Sequence, residues 1–379
     1  MSIENELRQH QDKLIATIGG EALSQLRIHP IEGRELDQWL AWSVRHAAPS
    51  YLPLATEDGS VIGLYVQPDR SIEDSPVVYL PASRQDAILM ANELSTLSVA
   101  LWLWVARYFN HSKEARERLE RATDAIRKNV GGAPIPEAVW RILDEALEDE
   151  EDPMAKYEPS WWHTTTSSYT VRAWSHAPLN HAYIGMPGLE YDAEVTEALK
   201  AFEPFLESRR EIPDILAIYL RVRLQAGKSI DRKDVLTVLG SECWIHRHRL
   251  RRGSWLAQGK GLENYDAILQ NLPDRKSILS GTRFEALIDH PEAYSGKDPE
   301  GPDLLVEIAD SYSDDGDHKG ALRQLRNAAL LSHFAKGGVT PELAGRIADT
   351  CAEIAEGSLA EKVARRSTKL LEDGLRRYL

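Results

Sequence analysis

The sequence has few cysteines and no long apolar run, and each shortage excludes a class of protein. Two cysteines occur in 379 residues, Cys243 and Cys351, without the spacing of a paired set. This argues against a disulfide framework or a zinc site and fits a reducing cytoplasm. The most apolar stretch, Leu94 to Val105, has 12 residues, whereas a membrane-spanning helix needs about 20. We therefore expect a cytoplasmic protein with no membrane partner.

Recognisable signal and catalytic motifs are also missing. The first residues, MSIENELRQHQDKL, are polar and mixed in charge, unlike a signal peptide. Gly240-Ser241 lacks the surrounding glycines of a nucleophile elbow, and Cys243 lies on an apolar helix face, as core cysteines do. We expect no catalytic residue, cofactor or metal, and no enzyme. An enzyme without a recognisable signature stays open as an alternative.

Two short patterns match known sites only in part. Gly227-Lys228-Ser229 resembles the end of a phosphate-binding loop, but Val222 occupies the position of its first glycine and a helix precedes it. We interpret this pattern as a helix C-cap with a turn. His163, His176 and His181 lack metal-ligand spacing and a neighbouring acidic or cysteine ligand. We expect ordinary surface or core histidines.

The charge is negative and unevenly spread. The chain has a formal net charge of −14; residues 1–153 carry 15 Lys/Arg against 26 Asp/Glu, a net of −11, and residues 154–379 carry 30 against 33, a net of −3. An acidic N-terminal part disfavours nucleic acid and suits a basic protein partner. The alternative is that the charge serves solubility alone.

One basic run interrupts this pattern. His246 to Arg252 (HRHRLRR) is flanked by Trp244 and Trp255, and aromatic residues beside arginines can bind nucleic acid by stacking and phosphate contact. Because the run is short and the chain acidic, an ion-pair face toward the protein itself or a partner is favoured.

Two acidic clusters are the candidate partner-binding sites. One is a polar loop after the predicted strands, and the other ends the N-terminal part. Their residues are Asp69, Glu73 and Asp74 in the loop, and Glu148, Asp149, Glu150 and Glu151 in the run.

The hydrophobic period predicts a mixed α+β domain over residues 1–153 with a small antiparallel sheet, an aromatic-rich connector over 154–192, and an all-helical domain over 193–379. In the first domain we expect these elements: helix over 3–28 interrupted at Gly19-Gly20, helix over 33–45, strands at 51–54, 60–66 and 76–80, and helices over 86–108, 111–128 and 135–147. Glu57-Asp58-Gly59 is the expected hairpin turn between the first two strands.

The C-terminal part is predicted to be helical throughout, apart from a loop over 284–301. The expected helices cover 193–208, 212–226, 231–250, 262–271, 302–314, 318–333, 340–355 and 358–377.

The last two helix pairs resemble tetratricopeptide repeats. Small residues occupy the positions where paired helices touch, and large ones fill the groove between them. The first copy has Leu305, Ile308, Ala309, Tyr312, Ala321, Leu325 and Ala328, and the second has Ile347, Ala348, Cys351, Ala360, Ala364 and Ser367, 39 residues later. The resemblance implies helical-hairpin pairs, over 302–377, that present a binding surface. A generic helical bundle is the alternative.

Residues 28–108 resemble the SUKH superfamily of bacterial immunity proteins. The resemblance lies in the segments Tyr51 to Ala55, Asp58-Gly59, Ile62 to Val66 and Pro76 to Leu80, followed by an apolar helix with Trp102 and Trp104. The family's opening Leu-Pro and aromatic helix has no clear match, and Trp39 and Trp42 are its candidates.

This resemblance implies a cytoplasmic immunity protein that neutralises a cognate toxin by occluding it, and it brings no catalytic residues. A helical-repeat scaffold or adaptor that docks peptides in the C-terminal groove is the alternative protein-binding function.

Overall fold

The computed structural model describes residues 2–25, 27–45, 50–57, 59–72, 75, 77–80, 88–91, 117, 121, 213–225, 227–242 and 261–374. The predicted domain boundaries near residues 153 and 192 lie outside these ranges, so the division into domains stays a prediction. Helices 135–147 and 193–208 and the aromatic connector lie outside them too. Of the predicted helix 111–128, Glu117 and Arg121 are described, and both are helical and exposed.

The N-terminal helices follow the predicted pattern. Helix α1 covers Ile3–Ile18, α2 covers Gly20–Gln25, and α3 covers Leu36–Arg45 after a 3₁₀ turn at Gly33–Glu35. Ser2 begins α1, because its hydroxyl accepts a hydrogen bond from the amide of Asn5 (3.3 Å). Gly19, at φ 91°, separates α1 from α2, which confirms the predicted interruption.

Five antiparallel strands form one sheet in the order β1-β2-β3-β4-β5. The strands are β1 Ile28–Pro30, β2 Tyr51–Glu57, β3 Ser60–Tyr65, β4 Val77–Leu80 and β5 Ile88–Ala91. Glu57 pairs with Ser60 across the turn at Gly59, so the predicted hairpin is present. Every residue of β3 is buried, which means that both faces of the sheet's middle are covered.

The sheet departs from the prediction at both of its edges. No strand was predicted at β1, and a helix was predicted from residue 86, where β5 forms instead. Ile88 to Ala91 are apolar residues of mostly helical preference. However, Leu89 pairs with Val78 and Ile88 with Tyr79, so β5 provides hydrogen-bond partners for the backbone of β4. Local propensity is a weak constraint that tertiary pairing overrides. Residues 92–108 lie outside the described part.

In the described part after residue 200, every regular element is a helix. The first four are α4 Pro213–Gln225, α5 Arg232–Leu239, α6 Gly261–Asn271 and α7 Arg275–Leu279. The predicted helix 231–250 was wrong in its length, because Gly240 ends α5 after residue 239. Helix α7 and a 3₁₀ turn at Glu285–Ile288 were not predicted.

The last four helices lie close to their predicted bounds. They are α8 Gly301–Asp314, α9 His318–Ala335, α10 Pro341–Ile354 and α11 Leu359–Glu372. Side chains of Asp317, Thr340 and Ser358 cap the N-termini of α9, α10 and α11. Each of the first three packs on the next helix in the chain, and all thirteen positions of the repeat pattern are buried.

The sheet and the last helices share an interface. Helix α11 packs on α3 and β2 and touches α1. At the edge of this interface the guanidinium of Arg366 donates to Asp37 Oδ1 (2.6 Å) and to Glu4. These ion pairs tie α11 to α3 and α1, and they are partly exposed.

Candidate functional site

The loop after β3 contains Asp69, the one predicted partner-binding residue that the structure describes. Lys319 Nζ, at the start of α9, lies 2.6 Å from Asp69 Oδ2. Partial burial raises the pKa of Asp69, but the hydrogen bond and charge of Lys319 outweigh burial and hold that pKa below its usual value. Asp69 is therefore partly neutralised within the protein. Glu73, Asp74, Glu148, Asp149, Glu150 and Glu151 lie outside the described residues.

Replacing Lys319 with alanine should bring the pKa of Asp69 back up toward its ordinary value, because the ammonium that favours the carboxylate is gone. The free energy of unfolding should change by less than about 1 kcal/mol, since both groups of this pair reach solvent. NMR titration of the Asp69 carboxyl measures the first effect. Lys297→Ala is the control, and an unchanged Asp69 titration in Lys319→Ala would contradict the assignment.

Beneath this loop lies a buried polar cluster, which we call the clasp: Tyr65, Glu242 and Arg326. The Tyr65 hydroxyl donates to Glu242 Oε1, and Arg326 Nη1 lies 3.5 Å from Glu242 Oε2. The Arg326 guanidinium also lies 4.4 Å from the centre of the Tyr65 ring. Side chains of Arg326 and Glu242 are 3% and 8% exposed, so the charges balance one another away from water.

Charge and burial act together in the clasp. Burial raises the pKa of Tyr65, so its hydroxyl stays protonated and can donate to Glu242. Burial lowers the pKa of Arg326, but the Tyr65 and Glu242 oxygens outweigh it and the pKa is raised. The arginine further donates to the carbonyl of Val66 (3.0 Å) and to Gln67 Oε1 (2.9 Å). It thus fixes the chain that leads to Asp69.

Helix α9 binds the last residue of α5 and the three residues that follow it. Arg323 Nε donates to Gly240 O (2.9 Å), Gln324 Nε2 to Leu239 O (2.9 Å) and Asn327 Nδ2 to Ser241 O (2.8 Å). With Arg326 on Glu242, one turn of α9 contacts each residue from 239 to 242. These contacts satisfy the backbone carbonyls of Leu239, Gly240 and Ser241 at the C-terminal end of α5.

A cysteine near the clasp is not activated. Cys351 on α10 is buried, and burial raises the pKa of its thiol to about 11. The thiolate is the reactive form of cysteine, so this residue packs as an apolar side chain near neutral pH.

The exposed sides of α8 and α10 form a surface that we call the acidic face. On α8 the exposed residues fall one turn apart, and on α10 the same positions recur 39 residues later. The eight residues are Asp303, Glu307, Asp310 and Asp314 on α8, and Glu342, Arg346, Asp349 and Glu353 on α10.

An ion pair joins the two stripes of the acidic face. Arg346, in the α10 stripe, donates to Asp310 in the α8 stripe. Seven carboxylates and one guanidinium give the face a formal charge of −7 + 1 = −6. Lys336, which follows α9, pairs with Asp303 (2.7 Å), and Arg365 in α11 pairs with Asp349 (3.1 Å).

Four carboxylates of the acidic face have no ion pair among the described residues: Glu307, Asp314, Glu342 and Glu353. Their excess charge points into solvent. Such a surface attracts a cationic partner and repels nucleic acid.

Sequence reasoning missed the acidic face for a definite reason. Charge was summed over residues 154–379, where 30 Lys/Arg almost cancel 33 Asp/Glu. The signal that would have found it is the spacing i, i+4, i+7, i+11 of acidic residues on the polar side of one helix, repeated 39 residues later.

Among the short motifs considered in the sequence, the structure describes the turn at Gly227. Lys228 N donates to Arg223 O (2.9 Å) and Gly227 N to Leu224 O (3.0 Å), with Gly227 at φ 65°. This pattern is a Schellman C-cap, which confirms the interpretation of Gly227-Lys228-Ser229. Cys243, the three histidines and the basic run His246 to Arg252 lie outside the described residues.

The described residues offer neither a metal site nor a membrane span. They contain no group of three or more His, Cys, Asp or Glu that could hold a metal ion. No helix among them is long and apolar enough to span a bilayer.

Comparisons of this chain with family models, curated proteins and solved structures returned no match.

Proposed function

We propose that this chain is a protein-binding protein that engages a basic partner through the acidic face. The observation that carries the proposal is the doubled stripe on α8 and α10, with seven carboxylates against one arginine. Like charges held close together cost free energy, and a cationic partner would relieve this cost. The charge also steers a basic partner toward the face before contact.

The partner that best suits this surface is a basic toxin, and the chain would act as an immunity protein that occludes it. The support for a toxin is the SUKH resemblance of residues 28–108, together with the antiparallel strands β2, β3 and β4, which form over most of the three apolar segments of that resemblance. A helical-repeat scaffold would use the same surface, and the sequential packing of α8 to α11 favours it. The two functions differ in whether the bound partner is inhibited.

Neutralising the acidic face should slow association with the partner. The face variant is Glu307→Gln, Asp314→Asn, Glu342→Gln and Glu353→Gln, which removes four charges without breaking a described ion pair. Electrostatic steering raises association rates by about 10–10³-fold, so we expect the rate to fall by roughly 10-fold at low salt and its salt dependence to weaken. The partner is captured from the native host by the wild-type chain and identified by mass spectrometry, and rates are then measured with the purified pair.

The matched control removes four exposed carboxylates elsewhere: Asp12→Asn, Glu21→Gln, Asp289→Asn and Glu292→Gln. Both variants have the same net charge, so a difference between them isolates the face. Equal slowing in both would mean that net charge alone acts, as it does in a protein whose acidity serves solubility. Expression of the captured partner in the host, with and without the chain, then separates an immunity protein from a scaffold.

A further inference from the structure

A buried polar contact spans three parts of the chain that are far apart in sequence. The clasp joins Tyr65 at the end of β3, Glu242 after α5 and Arg326 in α9. Arg326 also donates to Val66 O and Gln67 Oε1. One guanidinium therefore contacts the sheet, the segment after α5 and the last helices at once.

The clasp differs from the other link between the sheet and the last helices. The pairs of Arg366 with Asp37 and Glu4 are 29–44% exposed, so water can replace either partner. Glu242 and Arg326 are almost fully buried, and moving the sheet away breaks the hydrogen bonds that Tyr65, Val66 O and Gln67 Oε1 form with these two charged groups. Because buried hydrogen bonds to charged groups are stronger than exposed ion pairs, opening the sheet away from α9 costs more at the clasp than at Arg366.

We propose that the clasp is a coupling device, which makes the sheet and helices α8 to α11 open and close as one cooperative unit. A partial opening that releases the sheet alone removes the hydrogen bonds of Tyr65, Val66 and Gln67 from the Glu242–Arg326 pair, so this state is suppressed. The consequence for the surface is that the Asp69 loop keeps a fixed position relative to the helices that form the acidic face. The coupling does not depend on what binds there.

Hydrogen exchange of the full chain tests this device by comparing two segments, β2–β3 and α10–α11. In the wild type the slowest amides of both segments should exchange at the same free energy, since both wait for one opening event. In Glu242→Gln the two should separate, with the sheet amides exchanging at least about 10-fold faster than the helix amides, because the sheet can then open alone.

Two variants keep the test decisive. Tyr65→Phe removes the hydroxyl that donates to Glu242 but retains the ring beneath Arg326. It should give a smaller difference in exchange between the two segments, and it replaces Glu242→Gln in the test if that variant does not fold. Arg283→Met is the matched control, since Arg283 also lies 4.4 Å from a tyrosine ring centre, that of Tyr312, and pairs with Asp315 at the surface. It should leave the two segments coincident.

Equal acceleration of both segments in Glu242→Gln would overturn the proposal and make the clasp an ordinary stabilising contact. The same holds if neither segment changes, or if the two already exchange at different free energies in the wild type.

Discussion

Replacing Arg326 with methionine should lower the free energy of unfolding by about 3–5 kcal/mol, because Glu242 is left as an unpaired buried carboxylate. The side chain of Arg326 is 3% exposed, so water cannot take the place of the guanidinium. Methionine retains the apolar stem of the side chain, so the substitution removes the guanidinium with its charge and hydrogen bonds. Urea unfolding followed by far-UV circular dichroism measures the loss.

A second substitution distinguishes the charge from packing. Adding Glu242→Gln to Arg326→Met removes the stranded charge, and this double variant should regain about 1 kcal/mol or more over Arg326→Met alone. Arg283→Met, at the surface pair with Asp315, should cost about 1 kcal/mol or less. If Arg326→Met costs no more than Arg283→Met, the buried ion pair does not contribute to stability as described.

Gly63→Ala should destabilise the sheet by about 3 kcal/mol, the upper end of the range for overpacking a core. A Cβ at this position would lie 2.6 Å from Tyr51 Cζ and would also overlap the carbonyl oxygen of Leu52. The oxygen belongs to the neighbouring strand, so it cannot move without disturbing the β2–β3 pairing. The Tyr51 ring is fixed as well, since its hydroxyl donates to Val61 O (3.1 Å).

Gly33→Ala is the control for this glycine. A Cβ at Gly33 meets nothing within 4 Å, and the substitution should change stability by less than about 1 kcal/mol, or raise it slightly by restricting the unfolded chain. Urea midpoints of both variants, compared at equal slope, measure the difference. Similar midpoints for the two would show that the strands separate easily enough to admit a methyl group beside Tyr51.

The hydrophobic period predicted much of the fold because each pattern reflects one local rule. Helices α8 to α11 were expected to within two residues at nearly every end, since buried residues recur at helical spacing and Thr340 and Ser358 provide recognisable caps. Strands β2 and β3 were expected because they are β-branched and apolar between turn residues. The edge strands β1 and β5 were missed because they are short, and their conformation depends on pairing with a neighbour.

The candidate site was less predictable, because its contacts join distant residues. Glu242 and Arg326 are 84 residues apart, and Arg326 lies 260 from Val66. Asp69 was expected to display a free charge, and its pairing with Lys319 could not be read from local sequence. The acidic stripes could have been read, since they follow from helical spacing and the 39-residue offset.

The packing of α11 limits how many rows of side chains the acidic face can have. An array of helix pairs lengthens by stacking another pair on its last helix, but here α11 already packs on α3 and β2. The array thus has a closed end, and its polar surface is confined to two rows. Each row, such as that from Asp303 to Asp314, extends about 16 Å at 1.5 Å per residue. Under the proposed function, a partner segment that covers one row would be about three turns of a basic helix or five residues of an extended strand.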